Sequence, residues 1–186
     1  HEGAGVIEAV GSEVHHLTPG THVVIAWVAA CGQCWFCARG ELHLCRNAIR
    51  DTYSMPYATD SEGAALFTSM GVSSFSTATN CLARAVIPIA EDIPLEIASL
   101  IGCGVATGAG AALNTAPVEH GSAVAVIGLG GVGLASLMAS RVRGAAELIA
   151  VDPVASRREA ALALGATHAV DPADGDVARQ IRAVTG

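Results

Sequence analysis

The stretch from Ala123 to Asp152 limits the fold more than any other. Ala123-Val-Ala-Val-Ile127 is a short apolar run, the pattern of a buried strand. It leads directly into Gly128-Leu-Gly130-Gly131-Val132-Gly133, and a helix is predicted from there to about Arg143. Glu147 to Val151 is the next predicted strand and ends at Asp152, nineteen residues past Gly133. Ser156 to Leu164 reads as a helix stopped by Gly165, Ala166 to Val170 as a third strand, and Asp174 to Val184 as a third helix. Strand and helix alternating at this spacing mean a parallel sheet with crossover helices, an α/β unit.

A glycine-rich turn alone is weak; a preceding strand, a following helix and an acidic strand end make it specific. Gly128 allows the tight turn, Gly130 lets the backbone approach a pyrophosphate, and Gly133 lets helix and strand pack closely. Exposed amides at the helix start hold the negative charge. Asp152 is expected to accept hydrogen bonds from adenosine ribose hydroxyls and to repel a 2′-phosphate, which favours NAD over NADP. Arg157 either covers the adenosine side or is a solvated helix residue. The competing reading is a glycine-rich helix start with no ligand.

The second constraint is Cys31-Gly-Gln-Cys34-Trp-Phe-Cys37, closed by Cys45. Four thiolates within fifteen residues can surround one borderline cation, and a closed set of four cysteines points to structural zinc. A disulfide cluster and an iron–sulfur site compete with that reading. Disulfides need an oxidising compartment, for which no secretory segment argues. The bacterial ferredoxin run ends Cys-x3-Cys-Pro, and this one does not.

The charge balance narrows the partners. The formal net charge is −7, and all ten basic residues are arginine. Without lysine there is no Schiff-base lysine and no Walker-type phosphate lysine. An acidic chain without a basic stripe argues against nucleic acid. No uninterrupted apolar run of about 18 residues suggests a membrane span. The chain begins with His1 and not Met, which favours a piece of a longer chain.

Before the glycine turn the pattern is less regular. Residues 1–28 read as short strands and turns, with His22 to Val28 as a buried-strand candidate. Residues 29–50 form the cysteine lobe, mostly loop with one short helical turn. Strands are expected near Ala64–Phe67 and Ser74–Ala78, and Arg84 to Ile89 reads as a strand ending at its proline. Pro94 to Ile101 looks like a short helix. Ala106 to Thr115 looks like a second one, expected to be buried because it is small-residued and low in charge. His1 alone reads as a surface imidazole, and Cys103 alone as a small buried residue.

Four motifs in order carry a family resemblance: His1-Glu-Gly-Ala-Gly5, the four-cysteine lobe, Gly102-Cys-Gly104 with Thr107-Gly108, and Gly128-Leu-Gly-Gly-Val-Gly133. Together they resemble a zinc-containing alcohol dehydrogenase of the medium-chain dehydrogenase/reductase superfamily, nearest its class III-like and aryl-alcohol-type bacterial branch. The resemblance implies a GroES-like, mainly-β catalytic domain over residues 1–104, with the zinc lobe at about 29–50. A Rossmann-type doubly wound NAD-binding domain over 105–186 would follow, both domains being partial. It implies His1 and Cys103 as ligands of a catalytic zinc, with Glu2 beside that metal. Cys31, Cys34, Cys37 and Cys45 would hold the structural zinc. Trp27 would line the substrate pocket, Thr107 would lie beside the nicotinamide, and Val132 behind the cofactor in the glycine loop with Gly128, Gly130, Gly131 and Gly133. The implied reaction is hydride transfer between a primary or aromatic alcohol, or its aldehyde, and NAD at the catalytic zinc. Such enzymes hold that metal by two cysteines and one histidine with one position open. The implied parent is a cytoplasmic homodimer or homotetramer with a small-molecule substrate.

In that family the first cysteine ligand and the hydroxyl that relays the alcohol proton precede the His-Glu motif. The chain as written is therefore expected not to turn over alcohol, and its second half to be poorly stable alone, with an open sheet edge. Two rivals remain: a class III-type enzyme acting on the thiol adduct of formaldehyde, and a zinc-stapled dinucleotide sensor without catalysis. A zinc-ribbon nucleic-acid binder is opposed by the acidic charge. Cys81 and the histidines at 15, 16, 22, 43, 120 and 168 are given no role.

Overall fold

The computed structural model describes residues 1–54 and 56–186. The chain divides into two compact units, His1–Cys103 and Gly104–Gly186.

Along the first unit run β1 (Gly3–Val6), β2 (His22–Ile25), α1 (Trp35–Ala38), α2 (Ala48–Ser54), β3 (Pro56–Thr59), β4 (Ala65–Phe67), β5 (Val86–Pro88) and α3 (Leu95–Ala98). Strands β1, β2 and β5 form an antiparallel sheet with β2 in the middle. Val23, Val24 and Ile25 are buried in succession, so the strand that reads as an unbroken apolar run is the one covered on both faces. It is shorter than the pattern predicts. The chain leaves the ladder after Ile25, and Trp27 and Val28 lie in a bend beyond the bond from the Ala26 amide to the Ala85 carbonyl. Strand β5 ends at Pro88, though the next amide, that of Ile89, still donates to the His22 carbonyl of β2.

The region between α2 and β5 departs most from expectation. Pro56–Thr59 pairs with Ala65–Phe67 as an exposed hairpin, its first strand hidden in the sequence by a proline and polar neighbours. The Asp60 carboxylate fixes the turn by accepting from the Glu62 and Ala64 amides. Ser74–Ala78 is not a strand. Ser73 sits at φ 44°, the Ser76 hydroxyl donates to the Ser73 carbonyl, and the Thr79 hydroxyl donates to the Val72 carbonyl. Side-chain hydroxyls thus satisfy backbone groups that a ladder would otherwise use.

The second unit contains α4 (Gly104–Gly110), β6 (Ala123–Ile127), α5 (Gly131–Val142), β7 (Glu147–Val151), α6 (Ala155–Ala163), β8 (His168–Val170) and α7 (Val177–Thr185). The strands form a parallel sheet in the order β6-β7-β8. Alternation along β7 covers both faces. Ala150 packs with Val126, Leu137 of α5 and Ala161 of α6, while Ile149 and Val151 pack with Val170 against Val177, Ile181 and Val184 of α7. Helices on both faces are what a doubly wound sheet requires.

Helix α4, continued by a π turn over Ala111–Thr115, is mostly exposed instead of buried. Small residues here serve one close approach: Gly108 and Ala112 are its buried positions, while Val105 and Leu113 remain exposed. A Cβ at Gly108 would lie 2.1 Å from the Val132 carbonyl oxygen, so only glycine permits α4 to rest on α5 at this distance. The third strand begins two residues later than predicted because Thr167 is used at the sheet margin, its hydroxyl accepting from the Leu148 amide. Among the described residues no single helix is long and apolar enough to cross a membrane.

Candidate functional site

The cysteine lobe closes on itself. Cys34 caps the N-terminus of α1, Cys37 lies within that helix, and Cys45 ends a 3-10 turn over Leu42–Leu44. Gly32 at φ +75° provides the left-handed turn between the first two cysteines. The four sulfurs lie within 4.8 Å of one another, with Cys34–Cys37 at 3.5 Å and Cys34–Cys45 at 3.9 Å. A tetrahedral ion about 2.3 Å from each sulfur needs sulfur pairs about 3.8 Å apart, so the donor set fits one zinc. A disulfide would need sulfurs about 2.05 Å apart, and all four cysteines are free.

Backbone and side-chain donors surround the sulfurs. The Cys31 amide donates to Cys45 Sγ at 3.2 Å, and Asn47 Nδ2 donates to Cys31 Sγ at 3.4 Å. The Gln33 amide, above all, pulls the Cys31 thiol down to about 6, and the Cys37 amide lowers that of Cys34. Burial pushes the Cys37 thiol up to about 11. Donors around the sulfurs favour the thiolate, the form a metal takes. Asn47 carried no signal in the sequence, because nothing in its spacing marks it as a donor to sulfur.

A second gathering point is Ile25. Gly3 pairs with Ile25 across the β1–β2 ladder, and a Cβ at Gly102 would lie 2.4 Å from the Ile25 carbonyl oxygen. His1 precedes the first of these contacts by two residues, and Cys103 follows the second by one. The His1 ring meets Trp27 edge-on at 5.7 Å between centroids. His1, Glu2 and Cys103 are all half-buried. Among the described residues, only the four-cysteine cluster gathers three or more metal-ligating side chains. Trp27 also lines a cavity of about 140 Å³ with Thr52, Tyr57, Cys81, Leu82 and Ala85. Burial raises the Cys81 thiol above its ordinary range. The Asp51 carboxylate on the cavity wall is paired with Arg84, which, with Arg50 beside it, holds it below the usual carboxylate range. The hub formed by Ile25 and Gly102 was not legible in the sequence, since its members are distant along the chain.

The third feature is the glycine turn. Gly128 sits at φ +91°, and a Cβ at Gly133 would lie 1.9 Å from the Gly128 carbonyl oxygen. The turn therefore folds back against the helix it starts. A Cβ at Gly130 or Gly131 would meet nothing within 4 Å, so their backbone borders open space at the start of α5. The first-turn amides of a helix need partners from outside it, and an anion beside Gly130 and Gly131 would supply them. A pyrophosphate fits this cradle. Val132 is half exposed, and Thr107 is exposed on α4 next to the Gly108 contact with Val132.

Asp152 is placed at the end of β7 but is only 2% exposed. One carboxylate oxygen accepts from the Leu129 amide and the other from the Val154 amide, both at 2.8 Å. Those amides, that of Leu129 most strongly, hold the carboxyl below its usual range, and Arg157 adds to this from 3.6 Å. Each oxygen retains acceptor capacity, but Arg157 lies over the group. Arg158, which the pattern leaves as an ordinary helix residue, donates to the Asp152 carbonyl at 2.6 Å and pairs with Asp171 at 2.8 Å.

A four-sulfur lobe that fits a metal ion in one unit and a glycine-turn parallel sheet in the other define the class: a chain with a metal-type lobe and a dinucleotide-type fold. Comparison with known proteins carries this further. The family profile "Alcohol dehydrogenase GroES-like domain" matches residues 1–91, and "Zinc-binding dehydrogenase" matches residues 131–186. The S-(hydroxymethyl)glutathione dehydrogenase of Saccharomyces cerevisiae is 41% identical over 179 residues, 92% of this chain and 46% of that protein. The geraniol dehydrogenase of Castellaniella defragrans is 39% identical over 198 residues, 100% of this chain and 52% of that protein. The crystal structure of benzyl alcohol dehydrogenase from Acinetobacter calcoaceticus superposes with a TM-score of 0.86 at 37% identity, covering 100% of this chain and 51% of that one. An alcohol dehydrogenase zinc-binding domain protein from Burkholderia ambifaria gives a TM-score of 0.89 at 41% identity, over 100% and 52% of the two chains. The chain belongs to the zinc-containing alcohol dehydrogenases of the medium-chain dehydrogenase/reductase superfamily. It spans about half the length of the curated relatives it matches.

Proposed function

We propose that the protein carrying this chain is an NAD-dependent zinc alcohol dehydrogenase that interconverts primary or aromatic alcohols and their aldehydes. In this reading residues 1–104 form the catalytic domain and residues 105–186 the NAD-binding domain. The observation that supports it is that Gly3, two residues after His1, and Gly102, one before Cys103, both lie against Ile25, while the His1 ring meets Trp27.

His1 and Cys103 would hold the catalytic zinc, with Glu2 beside it, and Cys31, Cys34, Cys37 and Cys45 the structural one. When bound, the catalytic zinc supplies Lewis acidity toward an alcohol or carbonyl oxygen, and NAD accepts or returns the hydride. The protein's own contribution is positioning. Trp27 meets the His1 ring edge-on and also lines the cavity of about 140 Å³. The likeness to benzyl alcohol and geraniol dehydrogenases supports aromatic or allylic alcohols as substrates. The open cradle at Gly130 and Gly131, with Val132, receives the pyrophosphate between Gly128 and Gly133. Asp152 and Arg157 stand on the ribose side, and Thr107 on the nicotinamide side.

Similarity to S-(hydroxymethyl)glutathione dehydrogenases favours a second substrate reading, the thiol adduct of formaldehyde. A cytoplasmic homo-oligomer with neither nucleic acid nor membrane as partner completes the proposal. The test, made on the whole protein that carries this chain, pairs metal analysis with NADH formation at 340 nm on benzyl alcohol, an allylic alcohol and an S-hydroxymethyl thiol. Two zincs per chain, one lost with Cys103→Ala together with the rate, are expected. A full rate in Cys103→Ala would overturn the catalytic assignment, and the preferred substrate decides between the two readings.

A further inference from the structure

Two consecutive arginines open α6, and the structure treats them differently. Arg157 is 54% exposed and lies over the Asp152 carboxylate. Arg158 is 18% exposed and turns inward. Its Nη1 donates to the Asp152 carbonyl at 2.6 Å, and its Nη2 pairs with Asp171 Oδ2 at 2.8 Å. Asp171 is fixed in turn, its other oxygen accepting from the Ala173 amide.

The β7–β8 register runs to Val151 opposite Val170, so Asp152 and Asp171 are the first residues past the paired strands. One backbone bond joins them there, from the Asp152 amide to the Val170 carbonyl at 3.3 Å. Beyond it, the Asp152 carbonyl accepts from Arg158. The side chain of the same residue props the glycine turn through the Leu129 amide. A continuous chain of contacts runs from Asp171 through Arg158 and Asp152 to Leu129. A guanidinium suits this place because its planar fork can serve a carbonyl and a carboxylate together.

We infer that Arg158 is a positioning residue for the dinucleotide site: by clamping Asp152 to Asp171 it holds the strut that presents the glycine turn to a pyrophosphate. The inference rests on the dinucleotide reading above. It also withdraws Arg158 from the nucleotide, leaving Arg157 as the arginine that faces the ribose.

The test measures ADP-ribose binding by calorimetry and Leu129 amide exchange without ligand. It uses the wild type, Arg158→Met, Arg158→Lys and Asp171→Asn, each checked to be on its folded baseline at the assay temperature. Arg158→Met is expected to weaken ADP-ribose binding about tenfold and to speed Leu129 exchange by a similar factor. Arg158→Lys, which keeps a donor in place, should recover most of both. Asp171→Asn should fall between the wild type and Arg158→Met, and it serves alone if the methionine variant does not fold. A folded baseline matters because loss of a few per cent of folded chains cannot produce a tenfold change. Binding within twofold of wild type, or unchanged Leu129 exchange, would overturn the clamp. Failure of the wild type to bind ADP-ribose would instead sink the dinucleotide reading, while Leu129 exchange would still judge the clamp.

Discussion

Helix α4 offers two glycines with opposite environments, two positions apart. At Gly108 a methyl group would meet the Val132 carbonyl oxygen at 2.1 Å, Ala135 Cβ at 2.8 Å and the Ser136 amide nitrogen at 2.9 Å. At Gly110 it would meet nothing within 4 Å. Both residues lie in the same helix, so alanine brings each the same gain in helix propensity, about 1 kcal/mol. To relieve the Gly108 contact to an ordinary carbon–oxygen distance of about 3.3 Å, the backbones of α4 and α5 must separate by about 1.2 Å. The obstructing atoms are mainly backbone, so no side-chain rotation relieves them. Overpacking of this kind costs about 3 kcal/mol, leaving Gly108→Ala less stable by about 2 kcal/mol. For a unit of this size that lowers the melting temperature by about 10 °C. Gly110→Ala should raise it by a few degrees. Far-UV circular dichroism follows the helices, and α5 amide exchange reports the second unit, since both tryptophans, Trp27 and Trp35, lie in the first. If the two variants melt within about 2 °C of each other, the close approach of α4 and α5 is not what requires glycine at 108.

Other consequences are equally direct. Cys34→Ser should remove one zinc per chain and expose the segment between Cys31 and Cys45 to protease, because a closed four-sulfur site contributes folding energy outright; retention of full zinc content would refute the closed site. Asp51→Asn should destabilise the protein at neutral pH. The Arg84 partner lowers the folded-state value of this carboxyl, so its contribution is complete above the ordinary carboxylate range, about 3.9, and is lost as pH falls through the lowered value. Urea midpoints of wild type and variant should therefore converge in acid, and a gap that persists there would show another cause. Gly130→Val would fill the open cradle and should weaken NADH binding at least tenfold, read by fluorescence titration, while loss of the N-cap glycine of α5 lowers the melting temperature by only a few degrees. Unchanged affinity would remove the cradle from the cofactor site.

What the sequence determined alone was whatever closes over short distances along the chain. The four cysteines span fifteen residues, so few folds keep their sulfurs apart, and spacing alone pointed to a single ion. The glycine turn is likewise local: strand, turn and helix adjoin, and the positive φ at Gly128 together with the close approach at Gly133 is what such residues are for. Parallel strands β6, β7 and β8 were legible because alternating period-2 and helical patterns admit little else. The tertiary structure decided what depends on residues meeting across long loops. Ile25 brings the His1 and Cys103 segments together, and no spacing rule encodes that meeting. Hydroxyl-to-backbone bonds at Ser76 and Thr79 cancelled a strand that composition suggested at Ser74–Ala78. Helix α4 looked buried because its residues are small, yet it and its π turn are buried only at Gly108 and Ala112. The two arginines at 157 and 158 are identical in sequence terms, and only packing sends one over the Asp152 carboxylate and the other to its carbonyl. Local chemistry fixes which groups are available, and the three-dimensional packing of distant segments fixes which of them face one another.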